Sequence, residues 1–244
     1  MADPLHQFEI KPLLSITVGG ADVSFTNSSL WMVIAVGCAY LLVMAGTRQH
    51  ALVPGRLQAA VEMIYEFVAG IVRDSAGKEG MRFFPIVFTI FIFILMGNML
   101  GMIPGSFTFT SHIIVTFAMA IAVWLGVTII GFWYHGLHFL TFFVPAGAPK
   151  VMLPLLVPIE ILSYCVRPIS LSVRLFCNMM AGHTMMKVFA GFIISLGAYY
   201  VIPGLAPLVV TVLLMGFEIM VAFLQAYIFT VLTCIYLNDA IHMH

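Results

Sequence analysis

Three stretches of this chain, residues 28–46, 83–103 and 112–134, contain no Lys, Arg, Asp or Glu. Each is close to the ~20 residues with which a helix crosses the roughly 30 Å hydrocarbon core of a bilayer. Only 8% of the 244 residues are charged, against about 25% in a soluble globular domain. The chain therefore reads as an all-α polytopic membrane protein, with the lipid bilayer as its first partner. Lys and Arg together number 10, as do Asp and Glu. With that balance no nucleic-acid partner is expected. Cys38, Cys165, Cys177 and Cys234 lie in apolar segments without CxxC spacing. They read as small buried hydrophobes, and no metal or cofactor site is expected. The opening MADPLHQFEIKP lacks the basic start and short apolar core of a cleaved signal peptide, so no such leader is expected.

Basic residues set the orientation. The loop 47–82 carries Arg48, Arg56, Arg73, Lys78 and Arg82, whereas only Lys11 precedes the first span and loop 104–111 carries none. The positive-inside rule puts loop 47–82 in the cytoplasm and segment 1–27 outside. Counting the spans then returns the C-terminus to the cytoplasm. Within that loop, residues 56–74 are amphipathic. Leu57, Val61, Ile64, Val68 and Ile71 share one face, while Gln58, Glu62, Glu66 and Arg73 lean to another. This predicts an interfacial helix on the membrane surface. The run DSAGKEG has Val72 where a P-loop needs its first glycine and Glu79 after the lysine. No nucleotide is expected to bind here.

Residues 151–240 differ from the three ordinary spans. Helical patterning continues from about 159 to 196 and again from about 205 to 238, with Pro203-Gly204 as the expected turn. At 1.5 Å per residue these helices reach roughly 55 Å and 50 Å, far more than the hydrocarbon thickness. A strongly tilted hairpin is predicted, with Pro168 offering a bend. Its polar residues form stripes. Glu160, Ser163, Arg167, Ser170, Arg174 and Asn178 are spaced three or four apart, and Thr211, Glu218 and Gln225 are spaced seven apart. Each set falls on one helix face.

In an antiparallel pair, facing residues have a nearly constant index sum. Arg174 with Gln225 gives 399, His183 with Glu218 gives 401, and Glu160 with Asp239 gives 399. Three polar levels are thus expected. Arg167 and Lys187 read as charges that snorkel toward opposite surfaces, and Asn98, in GNMLG, as a helix–helix hydrogen bond beside a Gly-xxx-Gly contact. Arg174 is the conspicuous residue. Guanidinium stays protonated, and at lipid depth such a charge costs about 3 kcal/mol on insertion scales and over ~10 kcal/mol in some simulations. Glu218 lies about 10 Å from its level. The missing counter-ion is expected from another subunit.

The runs SLSVRLFCNMMAGHT and FEIMVAFLQAYIFTVL, with FFPIVFTIFIFILMGNMLGMIPGSFTFTSH and LPLLVPIEILSYCVRPISLS, resemble subunit a of the membrane sector of F-type ATP synthases. The resemblance covers roughly residues 54–240, and PLHQFEI and SFTNSSL look like the bacterial members. It implies a multi-pass protein of the bacterial inner membrane. The implied partners are a rotating ring of c subunits, each with a membrane carboxylate, and peripheral-stalk b-type subunits. The chain would have no catalytic site of its own. It implies that Arg174 is the family's essential arginine, Glu218 and His183 the polar pair of the outer half-channel, and Gln225 the glutamine near the arginine. Asn178 would be a channel-lining amide and Glu160 an acid of the cytoplasmic half-channel. Apart from the resemblance, Asn98, Asp239 and Ser170 are secondary candidates among the polar residues. Cys177 departs from the small residues usual in the family and has no expected chemistry.

The residues carry the same logic without the name. A fixed cation between two aqueous half-channels blocks direct proton passage and favours the ionised form of a passing carboxylate. Once reprotonated, that carboxyl travels neutral through lipid, which a charge could not do cheaply. A secondary transporter is the alternative, but the internal repeats and paired broken helices usual in that class are not visible in the sequence. A structural anchor would need no buried arginine beside a carboxylate–imidazole pair.

Overall fold

The computed structural model describes residues 8–15, 17–18, 21–22, 24–48, 54–103, 105–144, 152–197 and 201–242. Among these the chain is all-α apart from two small antiparallel pairings near its start. Five helical stretches are long and apolar enough to cross a membrane: Asn27–Thr47, Arg56–Gly101, Ile113–Phe143, Leu153–Gly197 and Leu205–Ile241.

The N-terminal segment is not featureless. Strand β1 (Pro12–Leu14) pairs with β4 (Phe25–Thr26), and β2 (Thr17–Val18) with β3 (Ala21–Asp22). Strands this short carry no alternation a sequence reading can detect. Helix α1 (Asn27–Thr47) starts where the Thr26 hydroxyl accepts from the Ser29 amide, an N-cap that satisfies one orphan donor. The Asn27 side chain donates to the Glu9 carbonyl at 3.1 Å and accepts from the Lys11 amide at 3.2 Å. These bonds fold the preceding segment back over the helix start.

Helix α2 (Arg56–Gly80) is longer than the predicted 56–74 and breaks at Gly77, whose φ of 66° only glycine adopts freely. Val61, Val68 and Ile71 are buried as its apolar face requires, while Leu57, in the first turn, is exposed. A short 3-10 turn, Met81–Phe83, leads into α3 (Phe84–Gly101), with Pro85 in the first turn where its missing N–H does no harm. Helix α4 (Ile113–His135) ends at Gly136, φ 57°, and a 3-10 stretch Gly136–Phe143 folds Phe139 onto Gly131.

Helices α5 (Leu153–Gly197, 45 residues) and α6 (Val201–Ile241, 41 residues) form the hairpin. Both exceed the predicted spans. Pro203 and Gly204 are not the turn but lie in the first turn of α6. A proline there loses no intrahelical bond, because the first N–H groups of a helix have no partner anyway. Pro168, inside α5, cannot supply the N–H that would pair with the Tyr164 carbonyl. The Trp124 indole donates to that carbonyl instead, at 3.2 Å. A neighbouring helix thus repairs the ladder.

Helix α6 is the centre of the packing, in contact with α5, α3, α2 and α4. The shared core includes Val68 and Val72 of α2, Phe91 and Ile94 of α3, Leu175 of α5 and Phe229 of α6, each 2% exposed or less. Lipid is as apolar as these side chains, so close packing rather than water exclusion holds them. Of the four cysteines only Cys234 is buried. Cys38 is half-buried, and Cys165 and Cys177 are exposed, all four unpaired. The expectation of four buried cysteines is corrected for three: Cys38 is half-buried, and Cys165 and Cys177 lie on the side of α5 turned away from the bundle.

Candidate functional site

The polar residues of the hairpin divide into two groups by the direction they face. One group points into the bundle. His183 and Glu218 are 7% and 4% exposed, with His183 Nδ1 3.6 Å from Glu218 Oε1. Gln225, two helical turns along α6 from Glu218, donates through Nε2 to the Arg174 carbonyl at 3.0 Å. The index sums of 399 and 401 hold for these contacts. Glycine at 182 makes room for the carboxyl, since a Cβ there would stand 2.7 Å from Glu218 Oε1. Neither carboxyl oxygen of Glu218 has a hydrogen-bond partner among the described residues.

His183 also reaches upward to the segment between α3 and α4. Its Nε2 lies 3.0 Å from the Thr108 hydroxyl, which itself donates to the Gly101 carbonyl at 3.0 Å. The Phe8 ring stands edge-on to the imidazole, with centroids 6.5 Å apart. Beside it lies a cavity of about 350 Å³ lined by Phe8, Ser106, Thr108, His183, Lys187 and Thr211. Lys187 is exposed and borders this cavity. Asn98, fully buried, donates to the Ala222 carbonyl at 3.2 Å and so ties α3 to α6 one turn from Glu218. The flanking glycines do not receive a helix as a Gly-xxx-Gly contact would. Gly97 is covered by the Phe109 ring and Gly101 by Thr108.

The other group points away from the bundle. Ser163, Ser170, Arg174 and Asn178 are exposed, and Glu160 is half-buried. No hydrogen bond or ion pair to the side chains of Glu160, Ser170, Arg174 or Asn178 occurs among the described residues. The Arg174 side chain is exposed on the outer side of α5 together with Ser170 and Asn178, among otherwise apolar exposed residues such as Ile169 and Val173.

The third expected level fails. Asp239 does not face Glu160. Its carboxylate accepts from Arg167 at 3.1 Å, an index sum of 406. The reason is electrostatic: two carboxylates repel, while a guanidinium within reach gains a charge-assisted bond. Arg167 does not snorkel either. It is enclosed over the rings of Tyr236, Tyr164 and Phe142, at 4.9, 5.4 and 5.9 Å. Sequence reasoning had missed Thr108, Gly182 and Phe8. The only trace of Thr108 was the hydroxyl-rich run SFTFTS between two spans, which has no helical period to interpret.

A family model described as ATP synthase A chain matches residues 29–238. The chain is 57% identical over 244 residues to ATP synthase subunit a of Rhodospirillum rubrum, covering all of both chains. It is 52% identical over 247 residues to the same subunit of Paramagnetospirillum magneticum, again over all of both. To that of a Chelativorans species it is 57% identical over 243 residues, covering 98% of each.

Proposed function

Because this chain belongs to the ATP synthase A chain family, we propose that it is the stator half of a proton turbine, with Arg174 as the gate. The family's subunit a is the non-catalytic membrane subunit of a rotary enzyme that couples proton transport to ATP synthesis. Within that role, two offset half-channels deliver protons to and from the carboxylates of a rotating c ring. The cavity beside His183, with Glu218 behind it, forms the inner end of the outer half-channel. Asn178 and Ser170 line the path near the gate, Glu160 marks the cytoplasmic half-channel, Gln225 holds the backbone of Arg174, and Asn98 and Asp239 brace the hairpin. The 45 residues of α5, roughly 68 Å as helix, lie tilted across the ring. Segment 1–27 is external, α2 lies at the cytoplasmic interface, the C-terminus is cytoplasmic, and b-type subunits brace the assembly in a bacterial inner membrane.

The observation that supports this most directly is the open face of Arg174. A permanent charge exposed on a membrane helix, with no carboxylate partner among the described residues, needs a counter-ion from outside the chain. A passing ring carboxylate supplies it. That carboxylate stays ionised beside the guanidinium and cannot go around without first being protonated. His183 suits the relay because an imidazole can take up a proton on one ring nitrogen and release one from the other.

Arg174→Ala tests the reading in the assembled complex. ATP synthesis and ATP-driven proton pumping are both expected to vanish. Passive proton flow through the membrane sector, freed of its catalytic head, is expected to persist. Assembly is expected to survive, because a costly charge has been removed. Normal synthesis by this variant, or failed assembly as its only defect, would make Arg174 a structural residue.

A further inference from the structure

The segment between α3 and α4 makes one polar contact with the site, and that contact has a direction. Thr108 is 5% exposed and its hydroxyl has a single proton. Two acceptors compete for it, the Gly101 carbonyl and His183 Nε2, both at 3.0 Å. Ser106 could satisfy Gly101 at 2.9 Å, but its own proton has the shorter bond to the Ile103 carbonyl, 2.7 Å. Gly101 closes α3, so its carbonyl is one of those left without a partner at a helix end. The Thr108 proton therefore goes to Gly101, and the Thr108 oxygen is left to accept.

We infer that Thr108 is a positioning residue for His183: it accepts from Nε2–H and so turns an unprotonated Nδ1 toward Glu218. This deepens the reading of His183 and Glu218 as a proton relay, and rests on it. The nitrogen that faces the carboxyl is then the basic one. A proton on Glu218 passes to Nδ1, leaving a carboxylate and an imidazolium whose two N–H groups point at Glu218 and Thr108. The reverse step returns it. The 3.6 Å gap is closed by a small rotation or by one water. Were Nε2 the bare nitrogen, Nδ1–H would face Glu218 and could only donate.

The surroundings help to hold the ring. Phe8 from the N-terminal segment stands edge-on to it, Glu218 of α6 lies on the Nδ1 side, and Thr108 on the Nε2 side. Lys187, one turn along α5, is the remaining charged group that borders the same cavity. Apart from Glu218 and Thr108, neither side of the ring is offered a hydrogen bond by the described residues.

The test compares wild type, Thr108→Val and Thr108→Ser in the assembled complex in lipid. Two quantities are read: ATP-driven proton pumping across pH, and the tautomer of His183 from ¹⁵N-histidine NMR, its signals assigned by their loss in His183→Gln. Wild type is expected to show protonated Nε2 and bare Nδ1. Thr108→Val keeps the shape and removes the hydroxyl. It should mix the tautomers, lower pumping several-fold and shift its pH profile. Thr108→Ser should restore both. A wild-type ring protonated on Nδ1, a valine variant equal to wild type, or a serine variant as poor as valine each overturns the inference. If the valine variant fails to assemble, the wild-type tautomer and the serine variant still decide. Normal pumping by Glu218→Gln would instead sink the relay itself, and would leave a wild-type Nε2–H result standing.

Discussion

Two arginines stand two turns apart on the same stripe of α5, and the chain treats them in opposite ways. Arg167 is enclosed: a carboxylate at 3.1 Å, three aromatic rings within 6 Å, its side chain only 20% exposed. Arg174 has its carbonyl held by Gln225 and its exposed side chain left without an ion-pair partner among the described residues. The protein therefore has the means to neutralise an intramembrane arginine and uses them once. The difference teaches that the bare charge is not a limitation of the fold. If Arg174 has the proposed role, releasing and recapturing a moving partner, it cannot be given a resident one, because a fixed carboxylate would compete at contact distance for the same donors.

Lysine substitution should break the symmetry of the two sites most widely. At position 174 lysine keeps a charge but loses the planar fork, and an ammonium without a fixed partner can become neutral where a guanidinium cannot. ATP synthesis per assembled complex is expected to drop by more than about tenfold, equivalent to ~1.4 kcal/mol or more of lost coupling. At position 167 the same exchange keeps the ion pair with Asp239, and synthesis per complex should stay near wild type. Synthesis and proton leak in vesicles of both variants measure this. Equal losses at the two positions would erase the distinction.

A smaller effect is expected at the partner of Arg167. Asp239→Asn removes the charge at near-constant shape and leaves the guanidinium with its aromatic neighbours alone. The pair is only partly shielded, its side chains 20% and 35% exposed, so the loss should be roughly 1–2 kcal/mol, between an exposed pair and a buried one. It should appear as less assembled complex and a lower unfolding temperature, with coupling in the remaining complexes intact. A coupling defect without a stability change would move Asp239 from the brace to the proton path.

The two regions were unequally legible. Arg174, His183, Glu218 and Gln225 stood out because a membrane helix makes any polar residue conspicuous and the three-to-four spacing gives it a face. The all-α polytopic class followed from the same scarcity of charge. The surroundings of Arg167 were not legible. The index sum treats both helices as rods and paired Glu160 with Asp239, ignoring both the reach of an arginine and the repulsion of two acids. The rings that enclose it come from three elements: Tyr164 on α5, Tyr236 on α6 and Phe142 after α4. Nothing in their spacing predicts that convergence. Thr108 was hidden for a similar reason, since a short connection between spans carries no period.

The smallest expected effect lies one layer behind Arg167, where the enclosure is itself held in place. Pro168 leaves the Tyr164 carbonyl without its helical donor, and the Trp124 indole supplies one at 3.2 Å, while the Tyr164 hydroxyl bonds Thr128 at 2.6 Å. Trp124→Phe keeps a ring in the same space and removes only the donor. An unpaired carbonyl at this depth should cost about 1 kcal/mol, part of it offset if the local helix relaxes. Pro168→Ala supplies the missing N–H in line with Tyr164. In the Trp124→Phe background it should therefore recover most of the loss, whereas in wild type it adds a donor to a carbonyl already satisfied and should gain little. The double-mutant cycle isolates that one bond. The unfolding temperature of the complex in lipid reads the cycle, and coupling should be unchanged in all four proteins. Additive effects would mean that the indole N–H does not substitute for the proline's absent one, and that the enclosure of Arg167 rests on ring packing alone.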